Sequence, residues 1–278
     1  MNTKNQILIG VSFNYQKDKI EEWVKTMRSV NNDCRIILAS ATEFDKETLA
    51  FLNYYNVNVI YYLQDLRYSV HLYRFSIVKN ILDSVLEKYY YDTDEPIYVL
   101  CTDVRDVKFQ LNPFPELIEV LKQNDKQILA GTEGLTYKNE KWNYNNMVDC
   151  YSDSGVVPMM LLNKEVVNVG VLFGYLHDLR DLCMNIFLTG VNRPSTITDQ
   201  ICFNALLLID GIKNKFKFVT HDDGVICHCG TTLDPTKMQY FKENLLCNVP
   251  IIADNGEIRT NSGKTYPIVH QYDRIQIS

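Results

Sequence analysis

The sequence has no excess of positive charge: 28 lysines and arginines stand against 34 aspartates and glutamates, a formal charge of −6. Gripping nucleic acid through its phosphates takes a basic face, so a nucleic-acid partner is not expected. No stretch approaches the roughly 18 uninterrupted apolar residues that a membrane helix needs, so no membrane span is expected. The polar N-terminus Met1-Asn2-Thr3-Lys4-Asn5-Gln6 leads straight into a short strand and does not read as a secretion signal. There is no internal repeat, no low-complexity tract and no Gly/Pro/Ser-rich linker. One domain over residues 1–278 is therefore expected.

What is present is ordinary for a soluble globular chain: 46% hydrophobic and 22% charged residues, enough length and apolar content for a sizeable core. The eight cysteines (Cys34, Cys101, Cys150, Cys183, Cys202, Cys227, Cys229 and Cys247) mostly lie in apolar runs. With no signal ahead of them they read as free thiols in a reducing, cytoplasmic setting. Cys227-His228-Cys229 suggests zinc, but adjacent residues on a strand point to opposite faces and a second ligand pair is missing. Structural zinc is not expected there.

Along the first hundred residues, strands and helices alternate. Ile7–Phe13, Arg35–Ala39, Val57–Tyr62 and Ile97–Cys101 read as strands, the last apolar throughout and so central. Between them, Lys19–Val30, Asp45–Tyr55 and Val70–Lys88 carry apolar residues at helical spacing. This alternation predicts an α/β fold with a parallel sheet covered by helices on both faces. In such sheets ligands bind outside the carboxyl ends of the strands, which puts Thr102–Asp106 on the binding rim. The second half is less regular. Pro115–Gln123, Leu176–Thr189 and Asp199–Leu208 read as helices, the last with Thr198 as N-cap. Ile128–Gly131, Phe216–Thr220 and Val225–Cys229 read as strands, Val169–Phe173 as a short apolar run between Asn168 and Gly174, the polar, aromatic Trp142–Ser154 as a loop, and Ile268–Tyr272 as the segment that ends the fold.

The rim segment is Thr102-Asp103-Val104-Arg105-Asp106-Val107-Lys108-Phe109. Two carboxylates three apart can share a hard cation such as Mg²⁺ or Mn²⁺, which takes oxygen ligands. On spacing alone they could equally form a turn salt-linked to Arg105.

An apolar strand followed by Asp-x-Arg-Asp-Val-x-Phe-Gln and Asn112-Pro113-Phe114 resembles the metal-binding segment of GT-A fold glycosyltransferases. The usual form there is Asp-x-Asp; here two residues separate the acids. Three later segments fit the same family in order: Asn168-Val169-Gly170, Asp199-Gln200 opening a helix, and His270 near the C-terminus. The resemblance implies a GT-A type, Rossmann-like, mixed but mostly parallel central sheet flanked by helices. Residues 1–110 would form a nucleotide-binding half and 111–278 an acceptor-binding half. It also implies a metal-dependent hexosyl- or pentosyltransferase. Asp103, Asp106 and His270 would hold Mn²⁺ or Mg²⁺, with Asp106 in the place of the metal-binding acid and Asp103 near the ribose or metal. Val11 and Phe13 would meet the nucleoside. Thr102, Val104, Arg105, Asn168 and Gly170 would line the donor site, and Arg74, with Arg67 as the rival, would clamp the diphosphate. The partners would be a UDP-, GDP- or dTDP-linked sugar and a glycan or lipid-linked acceptor. If the reaction inverts the anomeric centre, a base is required; Asp199 is the candidate, with Asp149 and Asp153 as alternatives.

Two other classes stay open. A metal-dependent phosphoesterase or nucleotidyltransferase also uses acids at strand ends, though the latter would show a glycine-rich basic loop where this chain has Ser12-Phe13-Asn14-Tyr15-Gln16-Lys17. A non-catalytic carbohydrate-binding protein on the same fold is the third.

Overall fold

The structure, a computed structural model, describes residues 5–89 and 95–275. Its strands are β1 (Gln6–Ser12), β2 (Arg35–Ser40), β3 (Val57–Tyr61), β4 (Tyr98–Thr102), β5 (Val107–Phe109), β6 (Ile128–Thr136), β7 (Glu165–Tyr175), β8 (Phe216–Val219), β9 (Ile226–His228), β10 (Ile251–Ile252), β11 (Ile258–Arg259) and β12 (Ile268–His270). The main helices are α1 (Lys17–Val30), α2 (Lys46–Tyr54), α3 (Val70–Tyr89), α4 (Pro113–Asn124), α5 (Lys141–Cys150), α6 (Val156–Leu161), α7 (Leu176–Gly190) and α8 (Asp199–Leu206).

The central sheet has seven strands in the order β3-β2-β1-β4-β7-β6-β8. Only β7 runs against its neighbours; the other pairings are parallel. The mixed, mostly parallel sheet flanked by helices is as expected, and β4 is its middle strand. Strand residues are apolar on both faces because each face is covered. Ile7, Ile9 and Val99 pack with Leu72, Ile81, Leu179 and Ile186 of α3 and α7. Leu8, Leu38 and Leu100 pack with Trp23, Met27, Phe114 and Leu117 of α1 and α4. Strand order reverses at the β1–β4 pair, and a crevice opens outside the carboxyl ends of strands at such a point.

A second sheet orders β5-β12-β9, with β5 antiparallel and β9 parallel to β12. It stands beside the rim of the main sheet and brings distant residues to it. A short antiparallel ladder joins β10 to β11. Among the described residues no helix is long and apolar enough to cross a membrane.

Three local readings are corrected. Trp142–Ser154 is not a loop: α5 forms over Lys141–Cys150, with Glu140 accepting from the Asn143 amide at its N-terminus. Its inward residues, Asn143, Met147 and Cys150, keep helical spacing, but the first is polar and hides the pattern. Thr198 precedes α8, yet its hydroxyl makes no cap bond and lies buried without a partner among the described residues. The strand expected at 128–131 extends to Ile128–Thr136, and the short apolar run 169–173 is part of a longer strand, Glu165–Tyr175. They continue through small and polar residues because both are buried, and the β6–β7 register slips on either side of Thr132.

Candidate active site

The indole N–H of Trp23 donates to Thr102 Oγ1 at 2.8 Å inside the protein. That bond pins the end of β4 and turns the Thr102 hydroxyl inward, away from the donor contact expected of it. The next residue reaches across to β7, where the Asp103 amide donates to the Gly170 carbonyl at 2.8 Å. The chain then turns through Val104, which is buried, and Arg105, which is partly exposed and lies near Asp106 and Asp273 at 3.4 and 3.5 Å. Pairing of β5 with β12 sets Val107 opposite His270. The Gln271 amide donates to the Asp106 carbonyl at 2.6 Å. Asp106 and His270, far apart in sequence, are neighbours for this reason.

Asp103, Asp106 and His270 each offer one ligand atom, all within 4.8 Å of one another. Nε2 of His270 is 3.4 Å from Asp103 Oδ2 and 3.8 Å from Asp106 Oδ1. It is buried and has no hydrogen-bond partner among the described residues. Burial holds the imidazole below its ordinary pKa, against the pull of Asp106 and Glu133. A buried ring nitrogen facing two carboxylates, with no hydrogen-bond partner among the described residues, completes a donor set that suits a divalent cation. The three residues expected to hold the metal are together and fit one.

Arg74, on the first turns of α3, links two acids. One guanidinium nitrogen donates to Asp103 Oδ1, and another to Asp199 Oδ2 at 2.8 Å. Arg67 is 78% exposed, pairs with Asp65 and does not line the cleft that the acids share. Asp149 and Asp153 are exposed and outside the cleft, and Asp153 pairs with Arg193 at 3.4 Å. Of the candidate bases, Asp199 alone lines the cleft.

Asn168 is occupied from both ends. Its Oδ1 accepts from the Gly170 amide at 2.7 Å, and its Nδ2 donates to Glu133 Oε1 at 2.8 Å. Glu133 also accepts from Gln200 Nε2 at 3.1 Å and Asn143 Nδ2 at 2.9 Å. Burial raises its pKa, while the bonds from Asn168 and Gln200 oppose the rise. Neither Glu133 nor its partner Asn143 is among the residues expected from sequence. An acid inside the otherwise apolar and small run Ile128–Leu135 is the signal that points to it, since a buried acid is rare unless paired. The register slip in β6 accompanies its placement, as bulges beside sites re-aim side chains. His228 lies similarly hidden in an apolar run. Its ring faces His270, while Cys227 and Cys229 pack apart from it with Tyr266 and Val269, their sulfurs 3.7 Å from each other.

These groups surround a cleft of about 580 Å³ at the β1–β4 switch point. Val11, Phe13 and Tyr15 line it from the end of β1, and Glu133, Glu140, Trp142 and Asn143 from β6 and the start of α5. Arg74, Asp103, Val104, Arg105, Asp106, Asn168, Gly170, Asp199, Gln200 and His270 also line it. Carboxylates and an imidazole that converge on one point, beside amides and aromatic rings, can bind a cation together with a polyhydroxylated, anionic ligand.

No family model matches the sequence, and no curated protein does. Among solved structures the chain is similar to the crystal structure of mouse Xyloside xylosyltransferase 1 in its apo form. Identity is 11%, coverage is 98% of this chain and 99% of that chain, and the TM-score is 0.48. It is the residues of the cleft, not this likeness, that bear on the chemistry of the protein.

Proposed function

We propose that the protein is a metal-dependent glycosyltransferase that moves a sugar from a nucleoside diphosphate to a hydroxyl of a glycan or lipid-linked acceptor. The observation that carries this reading is the meeting of Asp103, Asp106 and the buried, unpartnered Nε2 of His270 at the mouth of β4, among the described residues. In this reading these three hold Mn²⁺ or Mg²⁺, which when bound stabilises charge on the departing diphosphate.

The remaining roles belong to the chain itself. Val11 and Phe13, at the end of β1, receive the nucleoside. Arg74 fixes Asp103 and Asp199 relative to each other and adds positive charge where the diphosphate lies. Gly170 lets the donor approach the backbone of β7 closely. Asn168 and Gln200 hold the Glu133 carboxylate at the cleft floor, where it can accept from sugar hydroxyls. Arg74 bonds to Oδ2 of Asp199, and Oδ1 is the atom that would take the acceptor proton in an inverting transfer.

The test is thermal stability with UDP-, GDP- and dTDP-sugars, each with and without Mn²⁺. A true donor at about 100 times its Kd stabilises by about 2.7 kcal/mol, and only when the metal is present. If no donor responds, the proposal fails. Asp106→Asn should abolish both that response and sugar release from the responding donor.

A further inference from the structure

His228 on β9 and His270 on β12 are directly paired in the second sheet. Their Nδ1 atoms lie 3.0 Å apart, with the rings nearly perpendicular at 81°. Two bare nitrogens at that distance repel, and two protonated ones clash. The contact therefore holds one proton, and the surroundings decide which ring owns it.

On the His270 side, Nε2 points at Asp103 and Asp106 without a hydrogen bond. A ring nitrogen that binds a metal carries no proton, so a neutral His270 in that role keeps its proton on Nδ1 and donates it to His228. His228 then bears its own proton on Nε2, which is buried beside Gly131 with no hydrogen-bond partner among the described residues; a β-carbon on that glycine would be 2.5 Å from the nitrogen. The backbone fixes His228 in place. Its amide donates to His221 Nε2 at 3.1 Å, and its carbonyl accepts from the hydroxyls of Thr231 at 3.4 Å and Thr232 at 2.9 Å.

We propose that His228 is the positioning residue of the metal site: its Nδ1 accepts the Nδ1 proton of His270 and so presents a bare Nε2 to the cation between Asp103 and Asp106. This rests on the metal reading of those three residues. A metal-binding histidine commonly donates its second nitrogen to a carboxylate, a carbonyl or water. A neutral imidazole in that place fixes the tautomer and ring angle without adding negative charge behind the ligand.

Two measurements on the full chain test it. The first is long-range proton–nitrogen correlation on histidine-labelled protein saturated with Mg²⁺, which distinguishes protonated from bare ring nitrogens; with five histidines the signals are assignable by single substitution. The expected result is a proton on Nδ1 and none on Nε2 of His270. A proton on His270 Nε2 overturns the proposal. The second is Mn²⁺ affinity by calorimetry for two variants. His228→Asn keeps an acceptor oxygen near the position of Nδ1 and should bind Mn²⁺ within a few-fold of the parent. His228→Leu should bind about 10- to 100-fold more weakly. Equal affinity in both variants, or equal loss, overturns the proposal while the metal site stands. A parent protein that binds no Mn²⁺ overturns the metal reading itself and this inference with it.

Discussion

A β-carbon on Gly170 would stand 2.6 Å from Cε1 of His270. The same carbon would be 2.7 Å from Asp103 Oδ2 and 2.9 Å from His270 Nε2. Glycine is required here by close approach, not by backbone angle, since its φ is not in the left-handed region. Gly170→Ala must displace either the imidazole or the carboxylate. It should cost about 1–3 kcal/mol in urea unfolding, as overpacking does, and weaken Mn²⁺ binding at least ~10-fold, as disturbing a metal's supporting residues does. Gly155→Ala, where a β-carbon meets nothing within 4 Å, is the matched control and should change stability by no more than about 0.5 kcal/mol. Unaltered metal affinity in Gly170→Ala would mean that the ion sits elsewhere.

Arg74 is the one cation bonded to both Asp103 and Asp199 among the described residues. Removing its charge leaves two acids at the cleft without their partner, and Asp199 is 5% exposed. Arg74→Met is expected to lose about 3 kcal/mol, the low end for a broken buried pair because Asp103 is more open to water. Arg74→Lys restores charge but not a fork that reaches two carboxylates, so it should recover only part of the stability. Denaturant midpoints of the two variants at pH 7 check this. Full recovery by lysine would show that charge alone, not the bridge, is what Arg74 supplies.

The apolar run before Cys101 is enough to place Asp103 and Asp106 on the rim of a central strand, because a strand buried on both faces has no polar positions to spare. Asn168, Gly170, Asp199 and His270 also line the cleft. What each side chain does there is less legible. Thr102 faces Trp23, and Asn168 spends its amide on Glu133 and Gly170; both depend on contacts between distant segments. The pairing of β5 with β12 that sets His270 beside Asp106 leaves no mark in either short strand. Glu133 is hidden for a different reason. Its three amide partners come from α5, β7 and α8, and α5 is itself masked because the first of its inward residues, Asn143, is polar.

Glu133 accepts hydrogen bonds from Asn143, Asn168 and Gln200, all through side-chain N–H groups. Glu133→Gln keeps the size but turns an NH₂ group toward at least one donor. A buried donor left without an acceptor costs about 1–3 kcal/mol. The variant should lose that much stability, whereas Glu133→Gln combined with Asn143→Leu, which removes one of the opposed donors, should lose less than the sum of the two single changes. Strict additivity in such a cycle would show that Glu133 and Asn143 do not share the bond.

His221 is fully buried, and burial lowers its pKa from the ordinary 6.5 to about 4. The unfolded chain therefore binds this proton more readily than the folded one between those values. By linkage, the stability tied to neutral His221 is complete above pH 6.5 and is lost as pH falls toward 4. Between pH 7 and pH 5 the loss from this residue is about 2 kcal/mol, at about 1.36 kcal/mol per pKa unit. His221→Gln removes the titration while keeping a group that can accept the His228 amide, so its stability should fall less over the same interval. Groups common to both proteins, including His228 and His270, which burial also lowers, cancel in the comparison. Urea unfolding of the two proteins at pH 5 and pH 7 measures the difference, and parallel losses in both would show that His221 is not neutral at the cost of acid stability.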